Sequence, residues 1–156
     1  CNDFAAMVDL EMAVEINLPN GVIECDETVV QMGIRNLLYN AKRFCLSRIT
    51  VSLGQTEESL IIEIADDGPG VPAGTTLMDL TRRGAEREGT HGVGLTSIDR
   101  ILRSRGGQLE LIEDGGLANL PGACFRMIVP GIMVTPQLGE KASNVERFRT
   151  PIAAAV

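Results

Sequence analysis

Between Leu60 and Gly70 the chain reads Leu-Ile-Ile-Glu-Ile-Ala-Asp-Asp-Gly-Pro-Gly, the stretch that most narrows what it can fold into. Leu60 to Ala65 is apolar and β-branched, as in a strand with at least one buried face. Asp66 and Asp67 therefore emerge at a strand end. Gly68-Pro69-Gly70 can turn tightly there and lie against something flat, because neither glycine brings a Cβ and the proline fixes its own φ. A carboxylate at the bottom of a pocket accepts a hydrogen bond from the exocyclic amine of adenine, whereas guanine carries a carbonyl at that position. Taken alone, the pentapeptide also fits a surface turn, since Asp-Gly and Pro-Gly are common turn dipeptides.

The 156 residues suit one domain, and 44% hydrophobic content is enough for a core. A net charge of -7, with no long stripe of Lys and Arg, argues against a nucleic-acid partner or direct membrane contact. Cys1, Cys25, Cys45 and Cys124 are scattered without a CxxC pair, which fits a reducing compartment and small apolar packing rather than a zinc site or disulfide framework. No apolar run is long enough to span a bilayer, and no charged-then-apolar leader opens the sequence. The expected compartment is the cytoplasm. Because the chain starts at Cys1 rather than Met, it is expected to be an excised domain, and a parent anchored in the inner membrane stays open.

Met12 to Leu18 alternates apolar and polar residues, the period of a half-buried strand. Pro19-Asn20-Gly21 is then expected to turn, with Val22 to Cys25 returning as a short strand. Asp26 is placed to cap a helix running to about Phe44, with Glu27 near its positive end. Val29, Met32 or Gly33, Asn36 or Leu37, Asn40 or Ala41, and Phe44 recur there at three- and four-residue steps. Two asparagines one turn apart thus interrupt an apolar face, and a buried amide without partners is costly. Ile49 to Leu53 and Leu60 to Ala65 are expected to form a hairpin across a polar turn. Val71 to His91 lacks periodicity, and a segment of that length in a compact domain is usually functional or mobile. Gly92-Val93-Gly94-Leu95 opens a helix to about Arg105, stopped by Gly106-Gly107. Gln108 to Glu113 and Ala123 to Val129 complete the strands, the last ended by Pro130, and residues 131–156 are expected to be an extension or tail.

Three stretches thus stand in fixed order: Asn36-Leu37-Leu38-Tyr39-Asn40-Ala41-Lys42-Arg43-Phe44 on a helix, Asp66-Asp67-Gly68-Pro69-Gly70 after a strand, and Gly89-Thr90-His91-Gly92-Val93-Gly94-Leu95 opening a helix. Together they resemble the N, G1 and G2 boxes of the ATP-binding catalytic domain of sensor histidine kinases, in the GHKL superfamily. The resemblance covers roughly Met12 to Pro130. It implies an α/β (α+β) two-layer sandwich, with a mixed sheet packed on about three helices: the Bergerat ATP-binding fold with a mobile ATP lid near residues 71–91, the domain filling residues 1–130.

Residue by residue, the resemblance makes Asp66 the adenine-binding carboxylate, with Gly68 and Gly70 shaping the pocket. Asn40 matches the asparagine that holds Mg²⁺ between phosphate oxygens, for which a hard amide oxygen is suited. Arg43 stands where a basic residue reaches phosphate. Phe44 stands where an aromatic ring packs on the base, and is expected to be partly core. Gly92 and Gly94 put backbone N–H groups and a positive helix end against phosphate, with Thr90, His91, Val93 and Leu95 in the same loop and helix start. Lys42 is expected to face solvent, and Asp67 to cap the turn. Two departures stand out: Thr90 replaces a glycine, and the phenylalanine-bearing F box is only echoed by Leu77-Met78-Asp79-Leu80.

ATP-hydrolysing relatives such as gyrase carry a water-activating glutamate where Asn36 stands. An amide is no general base at neutral pH, so the resemblance favours transfer of the γ-phosphate to a better nucleophile. The implied partners are ATP, Mg²⁺ and a histidine on a separate dimerisation domain of the parent, with a response regulator downstream. Asn36, Asn40 and Arg43 are the candidate catalytic residues. Two alternatives remain: a nucleotide-binding docking or regulatory module of the same fold, and a gyrase-like hydrolysing switch.

Overall fold

The structure, a computed structural model, describes residues 10–17, 22–86, 93–113 and 116–134. The element order is β1 (Glu11–Asn17), β2 (Val22–Cys25), α1 (Glu27–Phe44), β3 (Arg48–Gln55), β4 (Ser59–Asp66), α2 (Leu77–Glu86), α3 (Val93–Ser104), β5 (Gln108–Ile112) and β6 (Cys124–Val134). The six strands form one mixed sheet in the order β1-β3-β4-β6-β2, with β5 also paired to β6. Only the β1–β3 pairing is parallel among the described strands.

Alternation along the strands sends one set of side chains toward the helices. Ile49 and Val51 of β3, Leu60, Ile62 and Ile64 of β4, Leu109 of β5, and Phe125, Met127 and Val129 of β6 are buried there with Val29, Leu37 and Ala41 of α1 and Ile98 and Leu102 of α3. Each large side chain removed from water in this way contributes about 1.5–3 kcal/mol. The result is a two-layer α/β sandwich, and its contact seam is tight at Gly33. A Cβ there would stand 2.1 Å from the Met127 sulfur, so a larger residue would require that buried side chain to shift or α1 to move away from β6.

The ends of α1 and α3 are set by local chemistry. The Asp26 carboxylate accepts from the Val29 N–H (3.2 Å) and pairs with Arg105, tying the start of α1 to the chain just past α3. At the end of α3, the Gly106 N–H donates to the Arg103 carbonyl and the Gly107 N–H to the Leu102 carbonyl, with Gly106 at φ +76. That is a Schellman closure, and it requires the left-handed conformation that glycine adopts without penalty.

Four expectations are corrected. Val22–Cys25 does not return beside β1; β1 lies against β3 at one edge of the sheet, while β2 pairs antiparallel with Gly131–Val134 of β6. Periodicity shows that a strand exists and is silent on its partner. The aperiodic stretch after Val71 contains α2, nucleated where Thr76 and Asp79 cap each other: the Thr76 N–H and hydroxyl donate to the Asp79 carboxylate (3.0 and 2.7 Å), and the Asp79 N–H donates back to the hydroxyl (3.2 Å). The last strand runs through Pro130 to Val134. Pro130 stands opposite Ser59, the first residue of β4, and β5 has ended its pairing at Ile128, so the missing N–H falls where β6 changes partners. On α1 the fully buried positions are Val29, Gly33, Leu37 and Ala41, leaving Asn36 and Asn40 half-buried at the border of that face.

Candidate functional site

Asp66 is the last residue of β4, only 3% exposed, on the helix-facing side with Ile62 and Ile64. Its Oδ1 accepts from the backbone N–H of Gly68 (2.8 Å) and of Ala123 (3.3 Å), and its carbonyl accepts from the Gly122 N–H (3.0 Å). Oδ2 has no hydrogen-bond partner among the described residues. Burial pushes the Asp66 carboxyl above its ordinary value, against the two N–H donors that favour the anion.

The backbone around this carboxylate admits no side chains. A Cβ on Gly68 would stand 2.2 Å from the Phe44 carbonyl oxygen, and one on Gly122 would stand 2.3 Å from both the carbonyl oxygen and Oδ1 of Asp66. Gly70 adopts φ +71. Sequence reasoning does not single out Gly122; the Pro121-Gly122 dipeptide before the last strand is the available signal.

Asp67 is held differently. Burial opposes its ionisation, but the Ser47 and Leu46 N–H groups and the Ser47 hydroxyl outweigh it and hold the carboxyl well below the usual range. The expected turn cap thus also reaches the chain leaving α1.

The stripe formed by Asn36, Asn40 and Arg43 runs along one side of α1. Asn36 Oδ1 lies 3.1 Å from where a Cβ of Gly94 would be, so the first turn of α3 rests against it because position 94 is glycine. The Asn40 amide nitrogen is buried and has no partner among the described residues. A half-turn of the carboxamide exchanges its ends, so this position offers either a donor or an oxygen ligand. The Arg43 guanidinium sits 5.2 Å from the centre of the Phe44 ring. Phe44 is 52% exposed and does not share the core as expected. Lys42 is exposed, as expected. Leu95 is half-buried against the core in the first turn of α3, beside Val93 and Gly94. Thr90, His91 and Gly92 lie outside the described residues. Cys25, Cys45 and Cys124 are free thiols.

The turn after the strand-end carboxylate thus lies against the last residue of α1, and the glycine-opened helix lies against Asn36 of the same helix, within a two-layer α/β sandwich, a class of fold that holds ligands between helix and strand ends. Residues 25–132 match the histidine kinase-, DNA gyrase B-, and HSP90-like ATPases, and the chain belongs to that family. It is 41% identical over 97 residues to the two-component sensor PhoQ of Pseudomonas aeruginosa, covering 59% of this chain and 20% of that protein. It is 33% identical over 132 residues to the sensor protein PhoQ of Escherichia coli O157:H7, covering 83% of this chain and 25% of that one. The chain therefore corresponds to a fifth to a quarter of those relatives. The catalytic domain of histidine kinase ThkA superposes with a TM-score of 0.63 at 17% identity, over 81% of this chain and 83% of that one. Among the described residues no helix is long and apolar enough to cross a membrane.

Proposed function

We propose that this chain binds Mg-ATP and donates the γ-phosphate to a histidine on a separate dimerisation domain, as the catalytic part of a two-component sensor kinase. The observation that supports the reading is a buried carboxylate, Asp66, whose Oδ2 has no partner among the described residues, together with the buried amide nitrogen of Asn40, which has none there either. Oδ2 of Asp66 accepts the adenine amine, while Gly68, Gly70 and Gly122 let backbone lie against the base. Phe44 supplies an exposed aromatic face at the rim.

Asn40 fits a Mg²⁺ ligand, because the ion takes few protein oxygens and shares the rest of its shell with water and phosphate. Bound there, it would neutralise charge on the phosphate oxygens. Arg43 serves the phosphates as a fixed cation, and Gly94, at the start of the 12-residue helix α3, presents N–H groups and a positive helix end. Asn36 occupies the position from which a carboxylate could deprotonate water. Its amide holds no proton acceptor of that strength, so the phosphate is kept for an incoming imidazole. Catalysis is then positioning and charge stabilisation.

The lid is assigned to about residues 71–91, of which residues 71–86, including α2, are described, and the domain extends through β6. The histidine-bearing domain is the direct partner, a response regulator the indirect one, and the cytoplasm the compartment.

The test pairs calorimetric titration of a non-hydrolysable ATP analogue, with and without Mg²⁺, with transfer of labelled γ-phosphate to an added histidine-bearing domain. Mg²⁺-dependent binding lost in Asp66→Asn, and transfer lost in Asn40→Ala, are expected. Binding without transfer to a competent acceptor would make the chain a docking module, and appreciable steady-state hydrolysis a switch.

A further inference from the structure

Asp67 has no role in the nucleotide reading, yet its half-buried carboxylate is heavily engaged beside the site. Its Oδ1 accepts from the backbone N–H of Leu46 (2.8 Å) and of Ser47 (3.0 Å), and its Oδ2 from the Ser47 hydroxyl (2.7 Å). Its own N–H donates to the Arg48 carbonyl (3.2 Å). Three of these contacts reach the segment joining α1 to β3, and the fourth reaches the first residue of β3.

Stabilisation of α1 alone does not account for this. A carboxylate beside a helix C-terminus opposes the macrodipole, and a cation would serve the helix better there. What the contacts do fix is the position of the last turn of α1. Arg43 and Phe44 occupy that turn, both exposed, so core packing does not hold them. The Phe44 carbonyl meets Gly68 from one side, and the clamp on Leu46 and Ser47 secures the same backbone two residues later. Asp66 is the neighbouring residue, so one peptide unit joins the clamp to the adenine-facing carboxylate.

We propose that Asp67 is a positioning residue of the nucleotide site, a clamp that fixes the end of α1, and with it Arg43 and Phe44, relative to Asp66. The proposal rests on the nucleotide reading above. An exposed helix end frays, and holding it in its bound geometry beforehand removes an ordering cost from ligand binding. Asp67 therefore acts through the two side chains it places and touches no ligand itself.

A double-mutant cycle on the full chain tests this. Binding of the Mg²⁺ complex of a non-hydrolysable ATP analogue is measured for Asp67→Ala in the parent background and in an Arg43→Ala/Phe44→Ala background. The expected result is a loss of about tenfold in the first and less than about twofold in the second, because contacting residues are non-additive when one acts through the other. Asp67→Asn keeps one acceptor oxygen and should lose only about threefold in the parent background. If Asp67→Ala fails to fold, Ser47→Ala removes one arm of the clamp and should show the same dependence on background, at about twofold. Equal losses in both backgrounds, or no loss in either, overturn the clamp. If Asp66→Asn binds as tightly as the parent chain, the nucleotide reading fails and the clamp with it; if Asp66→Asn loses binding while the Asp67 and Ser47 variants keep it, the clamp alone fails.

Discussion

Gly122→Ala should both destabilise the domain and disable adenine binding, although residue 122 contributes no side chain to the site. The new methyl would stand 2.3 Å from the Asp66 carbonyl oxygen, 2.3 Å from its Oδ1 and 2.6 Å from the Gly68 nitrogen. An ordinary contact needs about 1 Å more. None of the three atoms is free to give way, because the Gly122 N–H bonds that carbonyl (3.0 Å) and Oδ1 holds both the Gly68 and Ala123 N–H groups. Relief requires breaking one backbone bond, worth about 1 kcal/mol, and one bond to a charged acceptor, worth about 1.5–3 kcal/mol. The expected loss of stability is thus about 2.5–4 kcal/mol, read by urea denaturation, with ADP affinity falling more than about tenfold as Asp66 is displaced. Gly54→Ala is the control. Gly54 lies in β3, and a methyl group there would have nothing within 4 Å, so alanine should shift stability by less than about 0.5 kcal/mol. A Gly122→Ala chain as stable as Gly54→Ala, with unchanged ADP affinity, would refute the cradle.

The acid limb of stability should depend on Asp67. Its carboxyl is held below the ordinary value of 3.8, so its contribution is complete above that value and is lost as pH falls through it toward the folded value. Asp66, raised by burial, has the opposite sign and costs stability as pH rises from 3.8 through its folded value. Urea midpoints of Asp67→Asn across this range should therefore decline less steeply on acidification than those of the parent; parallel profiles would refute the assignment. Arg126→Ala should cost about 3–5 kcal/mol by the same assay, since it strands Glu63, 3% exposed, without the guanidinium that bonds it at 2.7 Å. A loss below about 1 kcal/mol would refute the dependence of the buried Glu63 on this partner.

Local signals carried much of the architecture. Alternation marks β3, an apolar β-branched run marks β4, and the polar residues between them mark their hairpin. Asp26 marked the start of α1, and Gly106-Gly107 the stop of α3. Each is a short-range rule read over a few residues. What stayed hidden depended on partners distant in sequence. β1 and β2 are consecutive along the chain yet pair with different neighbours, β3 and β6, because edge placement is decided by which faces are buried. α2 is not legible in the sequence because, among its described side chains, Leu77 and Leu80 are the ones packed on the core, too few to set a period, while its start rests on the Thr76–Asp79 exchange. The asparagines were legible as anomalies, but the choice between Asn36/Asn40 and Leu37/Ala41 as the inward set needed Gly33 against Met127 to fix the rotation of α1. Gly122 and the reach of Asp67 to Ser47, 20 residues away, follow from through-space proximity alone.

β4 carries a second carboxylate besides Asp66, and the two are three residues apart, which places them on opposite faces of the sheet. Glu63 accepts from the Leu117 N–H (2.9 Å) on the far face, while Asp66 accepts from Gly122 and Ala123 at the helix-facing end. The same connection between β5 and β6 is therefore fastened to β4 at both ends, once on each side. Glu63 can hold its end only while Arg126, its cross-strand neighbour, compensates its burial. The pairing of a strand interior with an ion pair, costly as it is to bury, thus fixes the backbone that forms the floor beneath Asp66. Loss of Arg126 should accordingly weaken ADP binding as well as stability, even though the guanidinium lies on the face of the sheet away from the helices.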